Sequence, residues 1–537
     1  TQPAVVNMGV ATVEMDMIMV ASTKTEEVHY RAKAASDADV PCVITDLNVS
    51  SDTTGVIEGI AAGKPVHKVL LAAEDGENVL SEQPFDVALS PIKDASGWPD
   101  APADAKEFTL LLAQGLLRRP GLILKNEQGI YDHVEIYRSK KETKPLATLY
   151  PNKMVYGIID ETYKGDVKKL GNRNMMLYRL EPDGSRLNIF LSACYDIEND
   201  SVFSPKSLHK MLLENAGPFP PSTMLWHPDD NLMACMLGCW EGVANWYSRA
   251  LHHLIDNEGV EVIFSHYHAI DIQEHTFIRH LSENSMAKLY TKEHYEKWLE
   301  EVYQQTDRYI GNFLHYLDEG WTIIVTSDHA QVSPAHKPPL IGDMSGNVNA
   351  GLMSELGYTV LKKDENGNDL KEVDWSKTKA VAQQGNDIFI NIKDPNINGG
   401  RGIVDPKDKY EVEEQIITDL YGYKSPETGK RVIALALRKK DAILLGYGGE
   451  TAGDIFFATA EGYNYDHCDP LSTCYGEGET SASPIFIAAG KGLKQGFETD
   501  RIIRQVDVAP TISVLLGCRF PAQCEGAPAY QIFSEEV

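Results

Sequence analysis

Three apolar runs in this chain each end in a cluster of polar, chemistry-bearing residues, and that repetition constrains the fold more than any other feature. Val260–Ser265 (VEVIFS) leads into His266, Tyr267, His268 and Asp271. Trp321–Thr326 (WTIIVT) leads into Ser327, Asp328 and His329, and Ser483–Ala489 (SPIFIAA) into Gly490 and Gly492. Short apolar runs bounded by polar residues read as buried strands. A helix-like stretch precedes each of the first two: Trp240–Asp256, and the Glu-, Lys-, Tyr- and Leu-rich Tyr290–Glu319. Strands alternating with helices predict an α/β fold. In open α/β sheets ligands collect beyond the carboxyl ends of the strands, so the three clusters are expected to share one active site.

Arg504–Leu516 (RQVDVAPTISVLL) reads as a further helix, with Pro510 near its start and Gly517 as its stop. Two regions read as insertions. Residues 340–445 combine a charged, turn-rich stretch with strand-like runs and a helical Tyr410–Leu420, and are expected to form an α/β cap. Residues 100–230 alternate strands with Pro-rich turns and decorate the core. The core itself is expected over 1–339 and 446–537.

Charge narrows the function. Lys and Arg number 50 against 78 Asp and Glu, a net −28. Such a chain repels phosphate backbones, which disfavours a role coating nucleic acid. A small anionic substrate then needs local cations, and bound metal ions are the obvious source. Thr322–Thr326 and Ile512–Leu516 are far shorter than the roughly 20 residues of a transmembrane span. The start, TQPAVVNMGV, lacks Met and a basic leader region, and reads as a processed or truncated end.

Of eight cysteines, Cys468/Cys474 and Cys518/Cys524 close short Pro-containing loops. That suits disulfides in an oxidising compartment, and predicts a periplasmic, secreted or cell-surface protein. Free buried thiols are the alternative. A zinc knuckle is disfavoured, because no CxxC pair occurs.

Asp271 and His275 stand at i and i+4, so a helix presents both on one face to one metal ion. Asp328 and His329 are adjacent, and a turning backbone at a strand end can aim both at one ion. His467, in YNYDHCDP, is a third element. His266 and His268 flank Asp271 and are candidates for orienting it. His336 lies past the Asp-His pair and is a candidate substrate contact. His252 and His253 read as structural or surface residues. Trp240, Trp246, Tyr247 and Tyr267 read as core, and KGLKQG as a turn, since it lacks the Gly-Lys-Ser/Thr of a phosphate loop.

In their order and spacing these motifs resemble the alkaline phosphatase superfamily, in particular its type I phosphodiesterase/nucleotide pyrophosphatase branch. The match runs through Asp271/His275, Ser327-Asp328-His329, His467, Pro484–Gly496 and Asp507–Gly517. VNAGLMSELGYTVL, VDWSKTKA, IFINIK and GIVDP also resemble the branch's intervening region. The likeness implies a three-layer sandwich around a mostly parallel sheet. It further implies two divalent metal ions, zinc first, with manganese or iron compatible with the mixed donors. One ion takes Asp271, His275 and His467, and the other Asp328 and His329. The implied nucleophile is a Ser or Thr near the start of the fold, and Thr1, in Thr1-Gln2-Pro3-Ala4, fits that setting.

The pattern departs in places. The family supplies a further Asp to the second metal from upstream of the nucleophile, and nothing stands upstream of Thr1 in this sequence. Either a cleaved N-terminal fragment stays in place and supplies it, which suggests self-processing, or the ligand is missing. Ala330 and Cys468 occupy positions where the family has Gly. The expected activity is metal-dependent hydrolysis of a small phosphate ester, diester or nucleotide pyrophosphate first. Phosphomonoester, phosphonate or sulfate ester hydrolysis is the nearest rival. A non-catalytic extracellular assembly protein that keeps the fold is a third reading, an N-terminal-nucleophile hydrolase using the Thr1 amine a weaker one, and a homo-oligomer is left open.

Overall fold

A computed structural model describes residues 11–23, 85–113, 116–223, 230–274, 292–331, 351–383, 387–396, 400–463, 474–475 and 483–535, with short strands at 5–6, 26–28, 31–32, 42–43, 47–49 and 68–69. It divides into two compact units, Thr1–Phe277 with Ala287–Asn312, and Ile278–Met286 with Phe313–Val537. The class is mixed α/β. No helix among the described residues is long and apolar enough to cross a membrane.

The first unit is built on two sheets. The larger orders Thr12–Glu14, Cys194–Asp196, Val167–Leu180, Arg186–Leu191, Met17–Ser22, Phe85–Pro91 and Lys68–Val69, with Met154–Lys164 also paired to Val167–Leu180. The second runs in sequence order through Lys93–Asp94, Lys106–Leu112, Leu117–Lys125, Tyr131–Ile136 and Ala147–Leu149. Successive strands of the second sheet are antiparallel neighbours, as are Met154–Lys164 and Val167–Leu180 in the first. In the longest hairpin Lys164 pairs with Val167, and the two-residue loop between them puts Gly165 at φ 60°. Such a turn matches the right-handed strand twist, and glycine adopts it without strain. The inward faces close one core around Met19, Leu110, Ile123, Val134, Leu177 and Ile189.

The described strand ladders are antiparallel except for Met17–Ser22 with Phe85–Pro91 and Ile455–Ala460 with Cys474–Tyr475, and two isolated bridges, Pro151 with Leu177 and Ile392 with Val404, are also parallel. The parallel sheet implied by the resemblance draws on Val260–Ser265, and here that segment forms no ladder. Gly259, at φ 63°, ends the helix Asp230–Glu258, and the Val260 N–H still bonds back to the Leu254 carbonyl. The stretch Val260–Ser265, expected as a strand, therefore has no regular secondary structure, with Phe264 88% exposed.

A charged network lies inside this unit. Glu14 accepts hydrogen bonds from Arg173 (2.6 Å), the Ala113 N–H (2.8 Å) and the Thr162 hydroxyl. Asp160 takes a fork from Arg119 (2.7 and 3.0 Å) and a further bond from Arg138 (3.3 Å). Burial pushes the Glu14 carboxyl up, but the Arg173 charge and these donors outweigh it and hold the group below its ordinary 4.5. A depressed carboxyl stabilises the fold above its unfolded value and loses that contribution as pH falls through the folded one. The urea midpoint is therefore expected to drop as pH falls below about 4.5, and that part of the slope to vanish in Glu14→Gln. A Glu14→Gln variant with an unchanged acid limb would refute the assignment.

The second unit has its own core. Ala380–Gln383, Asp387–Ile390, Ile455–Ala460 and Ile433–Arg438 form one sheet, which the helix Lys409–Gly422 covers with Ile416 and Leu420. Most of this body falls within 340–445, while the strand Ile455–Ala460 comes from beyond it. Separately, Thr322–Thr326 pairs antiparallel with Phe486–Gly490, Thr326 standing opposite Phe486. A short 3-10 turn, Gln505–Asp507, opens the helix Val508–Leu515, and Gly517 at φ 61° follows its end.

Two further expectations are corrected. Tyr290–Glu319 is not one helix: the α-helix Lys292–Gly311 stops at Gly311, and Leu314–Glu319 is a 3-10 helix ended by Gly320 at φ 89°. Cys518 and Cys524 are separate thiols rather than a disulfide. Each is held by its own backbone turn, Cys518 N–H to the Ser513 carbonyl and Cys524 N–H to that of Pro521. Cys468 and Cys474 lie where the side chains are outside the described residues.

Candidate functional site

In the first unit the chain leaves Val260–Ser265 and turns helical over 269–274, where the Ile272 N–H bonds the His268 carbonyl. This turn brings His268 Nε2 to 2.6 Å from Asp271 Oδ2. The His266 ring stands edge-on to His268 at 4.9 Å. An imidazole against a carboxylate fixes its orientation, as a group behind a metal ligand does. Beneath the pair lies an aromatic floor. Tyr267 donates its hydroxyl to Gln305 Oε1 (3.0 Å) and contacts the Trp240 carbonyl (3.2 Å), and Trp240 meets Tyr267 edge-on. Burial pushes the Tyr267 phenol far up, with the Glu241 carboxylate adding to it, so it stays protonated and keeps its O–H to donate. Trp240 and Trp246 are buried in core contacts, as their sequence setting predicts.

In the second unit Thr322–Thr326 delivers Ser327, Asp328 and His329 at its carboxyl end. The turn is shaped from within. Ser327 Oγ donates to the His329 carbonyl (2.7 Å), and the His329 N–H donates to Asp328 Oδ1 (3.1 Å). His329 Nδ1 lies 3.3 Å from the Ala330 carbonyl, a contact that favours the Nδ1–H tautomer and turns the lone pair to Nε2. Asp328 is 74% exposed. A solvent-facing carboxylate beside an imidazole suits a divalent ion with mixed oxygen and nitrogen donors.

Sequence reasoning missed one residue of this turn. Gln505, two positions before Asp507, donates its side-chain amide to the Asp328 carbonyl and to that of Ser327 (3.3 Å). Asp507 anchors the region: its carboxylate accepts the Arg504 N–H (2.9 Å), the Arg504 guanidinium (3.0 Å) and the Ala527 N–H (3.0 Å). Burial pushes the Asp507 carboxyl up, but those donors prevail and hold it below the usual range.

Of the expected site residues, Asp271, Asp328 and His329 are described, the first in one unit and the other two in the second. Thr1, His275, His336 and His467 lie outside the described residues. Among the described residues no group of three or more His, Cys, Asp or Glu gathers as a metal cluster.

Comparison with known proteins bears on residues 237–480, which match the family model of type I phosphodiesterase / nucleotide pyrophosphatase. Alkaline phosphatase PafA of Elizabethkingia meningoseptica is 21% identical over 257 residues, 44% of this chain and 41% of that protein. A calcium-transporting ATPase of Myroides odoratus is 23% identical over 252 residues, 44% of this chain and 42% of its own length. The chain thus spans less than half the length of these curated relatives. A crystal structure of a PafA variant overlaps 56% of this chain and 53% of its own at 16% identity, with a TM-score of 0.32.

Proposed function

We propose that this chain, which carries the type I phosphodiesterase/nucleotide pyrophosphatase region over residues 237–480, hydrolyses phosphate esters at a site holding two divalent metal ions. The observation that carries the reading is that the matched region spans Asp271, Asp328, His329 and His467 in the family's order. The exposed Asp328–His329 turn at a strand end supports it, as does the His268–Asp271 pair. Zinc is the first expectation, and Lewis-acid charge at the phosphoryl and leaving oxygens is what the ions supply when bound.

The chain's own groups are assigned the remaining work. The Thr1 hydroxyl attacks phosphorus as its proton passes to solvent, the bond to the leaving oxygen breaks and that group departs as its alcohol after taking a proton from water, and a phosphothreonyl ester results. Water then cleaves that ester and regenerates the hydroxyl. Asp271, His275 and His467 hold one ion, and Asp328 and His329 the other. His268 keeps the Asp271 carboxylate in one orientation. A second reading, phosphomonoester hydrolysis, is favoured by the alkaline phosphatase among the relatives.

Kinetics and metal analysis on one preparation test both. The chain is expected to hold near-stoichiometric divalent metal and to turn over bis-p-nitrophenyl phosphate faster than the mono ester. Faster monoester turnover selects the second reading. A folded, metal-free protein inert on both esters sinks the enzyme reading and leaves the assembly role.

A further inference from the structure

We propose that Gln505 is a positioning residue for the Asp328–His329 turn, acting through the backbone and not on the substrate. The inference rests on the metallohydrolase reading above and assigns a part to a residue that neither the motifs nor the comparisons mark. The Gln505 amide reaches two successive carbonyls, those of Ser327 and Asp328, from 178 and 177 positions along the chain. Fixing the Asp328 carbonyl fixes the plane of the peptide that joins Asp328 to His329. That plane sets the angle at which the two side chains diverge, and an ion shared by adjacent residues depends on that angle.

The bonds inside the turn do not supply this restraint. Ser327 Oγ to the His329 carbonyl and the His329 N–H to Asp328 Oδ1 fix its local shape, and both travel with it. Gln505 instead ties the turn to a second element whose own place is set. Its 3-10 turn is closed by the Arg504–Asp507 capping box, and Asp507 also receives the Ala527 N–H. Thr511 continues the tie, donating its hydroxyl to the Asp507 carbonyl (2.6 Å) and accepting the Ala529 N–H (2.9 Å). Glutamine is chemically suited to this role, because an amide NH2 has two donors and can serve two carbonyl oxygens at once.

Zinc titration of the chelator-stripped full chain against a competing chromophoric chelator tests this, with thermal unfolding beside it. The wild-type chain is expected to take up two zinc ions. Gln505→Met keeps the length of the side chain and removes both donors. It is expected to weaken one of the two sites about 10–100-fold, leaving the other and the melting temperature unchanged. Gln505→Lys, which restores a donor at a similar reach, is expected to recover most of that affinity. Two wild-type affinities in Gln505→Met overturn the proposal. So does an equal loss in the Met and Lys variants with a lowered melting temperature, which marks a merely structural residue. A wild-type chain that takes up no zinc is a distinct result: it overturns the hydrolase reading and this inference with it.

Discussion

Alanine at His329 is expected to leave a folded protein whose kcat/KM on a phosphate diester falls roughly a thousandfold. The size follows from what is removed. A metal ion contributes several kcal/mol of charge stabilisation in the transition state, and each 1.36 kcal/mol is about a factor of ten in rate. His329 is a candidate to hold such an ion because its Nδ1 faces the Ala330 carbonyl (3.3 Å) and its Nε2 stands on the side of the exposed Asp328 carboxylate (3.9 Å). The fold loses little, since the turn lies at a strand end and its Ser327–His329 bond uses only backbone from His329. Unfolding is therefore expected to shift by about 0.5 kcal/mol or less. Steady-state kinetics, circular dichroism and metal analysis together read the outcome. A loss of tenfold or less with both metals retained would remove His329 from the ligand set.

The second large effect concerns stability. Arg173→Met is expected to destabilise the protein by about 3–5 kcal/mol, because it leaves a buried carboxylate without its counter-charge. The Arg173 and Glu14 side chains are 2% and 13% exposed, so water cannot replace the lost partner. Thr162 and Ala113 still donate to Glu14, but neither carries charge. The double variant Arg173→Met, Glu14→Leu removes the orphaned charge and is expected to recover most of the loss. Urea unfolding of the two single variants and the double decides it. A single-variant loss near that of an exposed ion pair, below about 1 kcal/mol, would mean that the network is solvated.

Much of the fold was legible because its elements carry local signals. The helical readings of Trp240–Asp256 and Tyr410–Leu420 fall within the helices Asp230–Glu258, which starts ten residues earlier, and Lys409–Gly422, and Val508–Leu515 follows from Pro510 and Gly517. The strands Thr322–Thr326 and Phe486–Gly490 follow from apolar runs broken by polar clusters. Where the reading failed, pairing or chain geometry decided. Val260–Ser265 has strand composition, yet a strand is defined by its ladder, and composition does not reveal a partner. The helical reading of Tyr290–Glu319 ran straight through Gly311, and there the α-helix ends.

The site divides the same way. Asp271, Asp328 and His329 stand out in the sequence as candidates because metal chemistry restricts residue type and spacing. His268 was legible only as a neighbour, and its 2.6 Å contact depends on the helical turn that follows it. Gln505 carried no such signal: an exposed glutamine before a helix is ordinary, and its meaning arises from a carbonyl 177 positions away. Its position two residues ahead of Asp507 is the one cue that could have drawn attention to it.

That separation also orders events during biosynthesis. Chains emerge from the ribosome amino end first, and domains form as their segments appear. The strand that carries Asp328 and His329 is made long before either the partner strand Phe486–Gly490 or Gln505 exists. A nascent chain stopped short of residue 505 holds both candidate ligands but not the amide that ties down the peptide between them. On the proposed reading, the restraint on this turn is accordingly among the last parts of the site to form, long after both candidate ligands of the pair have been made.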